Sequence, residues 1–152
     1  MKKMIVFFIF IVLLFTISFF NSNSISFADC EKVVVISGER YDELTEDIIQ
    51  NGKEFYHVLT GENIDFFKNS ISKFNYKGLS LYFNKNHNLQ HFNKVFSTTF
   101  SNKGKVDNYD IYYGYFNGYR DFKIIDGKRI NMQLVKTESN WIVGFPMILT
   151  GF

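Results

Sequence analysis

The chain has 152 residues, enough for one domain, and its single cysteine excludes an intramolecular disulfide. Its formal net charge of +2 is far from the basic face that duplex binding requires, so nucleic acid is not an expected partner.

The first 28 residues read as a secretory signal peptide. Lys2 and Lys3 form a positive start, Met4 to Phe20 are apolar apart from Thr16 and Ser18, and Ser26-Phe27-Ala28 has small residues at its first and third positions. That pattern places cleavage between Ala28 and Asp29 and leaves residues 29–152 as a single exported α+β domain. The alternative is an uncleaved anchor, the only case in which a membrane is an expected partner. Its apolar run of 17 residues sits at the lower edge of the roughly 17–25 that cross a bilayer. Cys30 follows Asp29, which is not the small residue that a lipidated cysteine needs before it. Its place at a terminus expected to be disordered leaves no packed base to activate it.

Residues 29–152 carry 15 basic and 15 acidic side chains, unevenly spread. Residues 29–67 hold 10 acidic and 3 basic, and residues 68–152 hold 5 acidic and 12 basic. Two such halves attract within one fold. The functional reading is a basic face turned toward an anionic envelope polymer or a membrane surface.

Val33 to Ile36 is a continuous β-branched run and predicts a strand buried on both faces. Tyr41, Leu44 and Ile48 then recur at helical spacing, so Arg40 to Asn51 is predicted as a helix stopped by Gly52. Its other face carries Glu39, Asp42, Glu43, Glu46 and Asp47, without the alternating-oxygen spacing of a calcium loop. Glu54 to Leu59 reads as a short strand. Thr60 to Phe74 reads as a helix, with Thr60 as N-cap and Ile64, Phe67, Ile71 and Phe74 on its buried stripe. Gly78 to Phe83 alternates and predicts a half-buried strand with Leu79, Leu81 and Phe83 inward. Asn88 is placed to cap a third helix, Leu89 to Phe100, with Phe92, Phe96 and Phe100 along its buried edge.

The last third reads as a meander. Asn117-Gly118 and Asp126-Gly127 are hairpin dipeptides between runs rich in aromatic and β-branched residues. Ile130, Met132 and Leu134 alternate with Asn131, Gln133 and Val135 as a strand buried on one face. Trp141 to Leu149 is the last strand, and Pro146 within it predicts an edge position or a bulge. The fold class is α+β, with an antiparallel sheet of at least four strands and about three helices on one face.

Candidate chemistry is sparse. His87 and His91 stand four apart, but a cap at Asn88 puts His87 outside the helix and breaks the shared face a metal pair needs. His57 lies in an apolar run, as a satisfied buried or edge histidine does. Asp107, Asp110, Asp121 and Asp126 are available carboxylates, all near turns or strand ends where aspartate is common anyway. No glycine-rich phosphate loop or nucleophile turn occurs, and neither a catalytic residue, a metal nor a cofactor is expected. Tyr109, Tyr112, Tyr113, Tyr115 and Tyr119 cluster within eleven residues. Packing accounts for them; the functional alternative is a binding face of Tyr109, Tyr113, Tyr115 and Tyr119 for sugars or a protein.

The closing region resembles the YwmB-like family of exported bacterial proteins. The resemblance rests on the helix and strand at Leu89–Phe100 and Tyr109–Phe116, on Lys128-Arg-Ile-Asn-Met-Gln-Leu134, and on Gly144-Phe-Pro-Met-Ile-Leu-Thr-Gly-Phe152. It spans about residues 79–152. Phe145 and Phe152 depart from the family's threonine and tyrosine, and residues 29–78 are short for a full first half. The resemblance implies a TATA-box-binding-protein-like fold and no catalytic residues; the fold implies no DNA binding, because function lives in sites. The expected function is non-enzymatic binding of a protein or polymer at the cell envelope. The alternative is a secreted hydrolase whose site forms only in three dimensions.

Overall fold

Ten strands and two α-helices follow one another along the described residues of the computed structural model, 25–106 and 109–146, with the side chains of 102, 103 and 106 left out. Strands β1 (Cys30–Ser37), β2 (Ile48–Asn51) and β3 (Glu54–Leu59) come first, then helix α1 (Glu62–Ser70) with a 3-10 turn, Ile71–Lys73. Next are β4 (Tyr76–Asn84), α2 (Leu89–Val95), β5 (Ser101–Val106) and β6 (Tyr109–Gly114). The chain then runs through β7 (Lys123–Ile125), β8 (Lys128–Ile130), β9 (Met132–Lys136) and β10 (Asn140–Phe145). Eight strands form one sheet in the order β2-β3-β1-β4-β10-β9-β6-β5, and β7 pairs with β8 alone. Every neighbouring pair is antiparallel.

Strand alternation divides the core between the two faces. Val33 and Val35, Leu79, Leu81 and Phe83, and Trp141, Val143 and Phe145 pack with Ile64 and Phe67 of α1 and with Phe92 and Phe96. Val34, Ile36, Tyr82 and Ile142 form a smaller cluster on the other face, against Tyr56 and Val58. Both helices therefore lie on one face. Each large side chain buried here contributes about 1.5–3 kcal/mol of hydrophobic stabilisation. β1 is buried on both faces, as its unbroken β-branched run requires.

Several elements differ from the sequence expectation, each for a physical reason. Residues 40–51 form no helix; they make a turn-rich loop and then β2. A helix there would stack Glu39 on Glu43, Asp42 on Glu46 and Glu43 on Asp47, like charges four apart. Gly52 is no helix stop but the first residue of the two-residue hairpin turn Gly52-Lys53: it takes φ 62°, and Asn51 lies opposite Glu54. Two α-helices, not three, thus stand among the described residues.

Helix α1 starts later than expected, with Gly61 and not Thr60 in the N-cap position. It ends at Ser70, whose hydroxyl donates back to the Phe66 carbonyl at 2.6 Å. Phe74 reaches the core from extended backbone. Asn88 does cap α2, its side chain accepting the His91 N–H at 2.9 Å. That helix stops at Val95, with Ser97 in left-handed backbone (φ 46°), so Phe96 and Phe100 are buried from beyond it.

β4 and β9 were expected to bury one face and bury both, since each lies inside the sheet between two partners. Asn117-Gly118 does make a turn, with Tyr119 N–H donating to the Phe116 carbonyl at 3.3 Å, but it closes no hairpin. β6 pairs with β5 and β9 instead. The buried Asn131, between β8 and β9, takes the place of a partner strand. Its amide donates to the Phe116 and Tyr119 carbonyls, both at 2.8 Å, and accepts the Phe116 N–H at 2.7 Å. The polar face assigned to Asn131 is a staple. Pro146 lies just past β10, which is no edge strand: β4 and β9 flank it. The remaining expected strand residues, 147–149, fall outside the described residues, as does most of the terminal motif.

Candidate binding groove

The four tyrosines of the expected binding face are placed in three surroundings. Tyr109 and Tyr113 flank Ile111 on β6, and register through Val135 and Ile142 to Tyr82 puts them on the helix-free face, half-buried. Tyr115, past the strand, sets its ring edge-on to Phe122 at 6.5 Å. Tyr119 is turned into the core, against Phe145 at 5.6 Å, with its hydroxyl donating to the Lys77 carbonyl at 3.3 Å. Tyr112 packs on the opposite side of β6, 6.2 Å from Trp141.

Tyr119 contributes instead to a groove that the sequence did not point to. Two hollows of about 350 and 290 Å³ share Tyr76 and Gly118 in their walls. The first is lined by Ile25, Phe27 and Ile71 with Lys68 and Asn69 of α1. The second is lined by Tyr119, Arg120 and Asp121 from the loop that Asn131 staples. Tyr76 is held by the start of β4, its ring edge-on to Phe67 at 5.9 Å. Burial raises the pKa of both Tyr76 and Tyr119 above the ordinary phenol value, Tyr119 the more strongly. Both hydroxyls therefore stay protonated; Tyr119's is engaged by the Lys77 carbonyl, and the groove offers the Tyr76 phenol, with Asn69 and Lys68 in one hollow and Arg120 and Asp121 in the other. It supplies no activated nucleophile.

The titratable groups singled out in the sequence do not assemble around this groove. Asp121 lines it; Asp110 lies on β6, 3.8 Å from the Lys105 ammonium; Asp126 holds the β7–β8 turn at φ 51°. Asp107 is outside the described residues. His57 is fully buried and satisfied: Nε2 accepts the Tyr41 N–H at 2.9 Å, so Nδ1 carries the proton toward the Val35 carbonyl at 3.3 Å. Burial lowers its pKa.

His87 and His91 correct the expectation that the Asn88 cap separates them. Their rings stack at 4.1 Å, and Phe92 meets both edge-on. The capping turn folds His87 back over α2, and Trp141 Nε1–H donates to its carbonyl at 2.9 Å. His91 Nε2 is buried without a hydrogen-bond partner, and burial, then His87, lowers the His91 pKa. Among the described residues no group of three His, Cys, Asp or Glu side chains is placed to hold a metal ion.

Cys30 is not at a disordered end. It opens β1, and its thiol donates to the Lys32 carbonyl at 3.1 Å, with the Tyr82 carbonyl at 3.5 Å. Burial pushes its pKa up to about 11, which keeps it a protonated, unreactive thiol.

The charge asymmetry becomes spatial. The acidic loop before β2 lies at one end of the sheet, while β5 and β6 lie at the other and the basic β7–β8 hairpin stands outside it. Lys77 pairs with Glu54 across the two halves at 3.1 Å, but both side chains are exposed. Such a pair adds only about 0–1 kcal/mol. Comparison with protein-family models, curated proteins and solved structures finds no match.

Proposed function

We propose that this chain is an exported domain of the YwmB-like, TATA-box-binding-protein-like kind that binds a protein or polymer at the cell envelope without catalysis. Export rests on the signal pattern of residues 1–28, with retention by an uncleaved segment as the alternative. The observation that carries binding is the groove shared by Tyr76 and Gly118, which keeps Lys68, Asn69 and Ile71 after cleavage at Ala28 and has its Ile25 and Phe27 wall only in the uncleaved chain. Lys68 stands in one of its hollows and Arg120 in the other. Each hollow lies near the lower end of about 300–1,000 Å³ for ligand sites, and their union suits an extended segment better than a compact metabolite. The protonated Tyr76 and the Asn69 amide donate to carbonyl or carboxylate oxygens along such a segment, and Lys68 and Arg120, against the single Asp121, favour an acidic one.

The test is a pull-down from cell-envelope extract with the chain and with its Lys68→Glu/Arg120→Glu variant. Both positions are on the surface, so the variant folds. A protein or polymer retained by the unaltered chain and lost by the variant is the expected result. Retention of nothing, or equal retention by both, rejects the groove as the binding site.

A further inference from the structure

The β7–β8 hairpin stands outside the main sheet, and its register decides what it presents. Ile124 lies opposite Arg129, Lys123 opposite Ile130 and Ile125 opposite Lys128. Residues opposite one another share a face, as do residues two apart on one strand in extended backbone. One face therefore carries Lys123, Ile125, Lys128 and Ile130, and the buried Ile130 ties that face to the protein body. The other carries Ile124 and Arg129, and the guanidinium of Arg129 sits 4.8 Å over the ring of Phe122. Here Ile124 is 68% and Phe122 42% exposed, two of the four large apolar side chains most open to solvent. Residues 120–130 add four cations, Arg120, Lys123, Lys128 and Arg129, against Asp121 and Asp126, a surplus of two.

We propose that this hairpin docks on an anionic bilayer surface, with Ile124 and Phe122 entering the headgroup layer, Arg129 meeting lipid phosphates on the same face, and the exposed Lys123 and Lys128 on the other face adding attraction to the anionic surface. The pairing of features selects this partner. A soluble anionic polymer would engage the cations and leave Ile124 in water. A neutral bilayer would take Ile124 and leave the cations unused. The combination of apolar side chains with flanking Lys and Arg is what an interfacial anchor needs. The outer edges of β7 and β8 pair with no other strand among the described residues, so the hairpin stays where water still reaches its backbone and does not cross the hydrocarbon. The docking residues Phe122, Ile124 and Arg129 line neither hollow of the groove, so the two readings are tested separately.

The experiment places a reporter at the tip. The Ile124→Trp chain, full length, is reconstituted into vesicles of phosphatidylcholine carrying brominated acyl chains, with or without added phosphatidylglycerol. Trp141 is buried in the core and forms the unquenched background. Quenching of the new tryptophan is expected only with phosphatidylglycerol, and it should fade as salt is raised. Adding Lys123→Glu and Lys128→Glu should cut the docked fraction at least tenfold, at about fivefold for each charge near the surface. Equal quenching in neutral vesicles overturns the proposal, because the apolar segment at residues 4–20 then suffices. Absence of quenching in anionic vesicles, or quenching only after envelope protein is added, overturns it too.

Discussion

Two hairpins in this chain close with a two-residue turn that contains glycine, and they end in different places. Gly52-Lys53 turns the β2–β3 hairpin, which lies against β1 as part of the eight-stranded sheet; Asp126-Gly127 turns the β7–β8 hairpin, which among the described residues pairs only with itself. The turns do not explain this, because both carry glycine in left-handed backbone, φ 62° at Gly52 and 74° at Gly127. The strands do. β3 brings Leu59 to the helix-side core and Val58 to the other face, while His57 closes two backbone hydrogen bonds inside. β7 and β8 offer one buried side chain, Ile130, among lysine, arginine and exposed isoleucine. A turn makes a hairpin, but buried apolar area on the strands admits it to a sheet.

The comparison predicts that damage near the first hairpin is felt globally and damage in the second locally. The largest effect is expected at Phe27, which is 9% exposed and packs edge-on to Phe67 of α1 at 6.0 Å. Phe27→Ala should cost about 3–5 kcal/mol in urea unfolding. A chain beginning at Asp29 should lose as much, since cleavage after Ala28 takes Phe27 away. A loss below about 1 kcal/mol would mean that the domain does not rely on this residue.

His57 comes next. Unfolded, it titrates near its ordinary value of about 6.5, and burial holds the folded value lower. Between the two values the unfolded state binds more protons, so stability should fall as pH drops through that window. His57→Leu should cost about 2–4 kcal/mol at neutral pH, from the Tyr41 N–H and Val35 carbonyl left without the ring. It should also flatten the acid dependence of the urea midpoint. His91, lowered in the same direction, leaves some slope behind. An unchanged profile would remove His57 as its source.

The smallest effects separate the hairpins directly. Gly52→Ala and Gly127→Ala impose similar local strain, about 1–2 kcal/mol in left-handed backbone. Only Gly52→Ala should lower global stability by that amount. Gly127→Ala should loosen amide protection in β7 and β8 and leave the rest of the sheet within about 0.5 kcal/mol. Equal global losses would show that the second hairpin is as tightly tied in as the first.

Local patterns told part of this in advance. The Val33–Ile36 run, the inward Leu79, Leu81 and Phe83, the Asn88 cap and the Asp126-Gly127 turn are all readable from neighbours in sequence, because period and capping act over a few residues. The false helix at 40–51 had the right apolar spacing, but the spacing could not weigh like-charge repulsion against the open edge of β3. The groove had no local signal at all. Gly118 is far along the chain from Lys68 and Tyr76, and Asn131 looked like the polar side of an alternating strand.

What the sequence determined by itself was local: the buried runs at Val33–Ile36 and Leu79–Phe83, the Asn88 cap, the Asp126-Gly127 turn, and that the two halves carry opposite charge. Tertiary structure alone decided which hairpin joined the sheet, that β10 sits at its centre, and which side chains meet across the groove. The reason is range. Turn and capping chemistry is settled by adjacent backbone, whereas burial and hydrogen-bond satisfaction depend on partners that only the folded chain brings together.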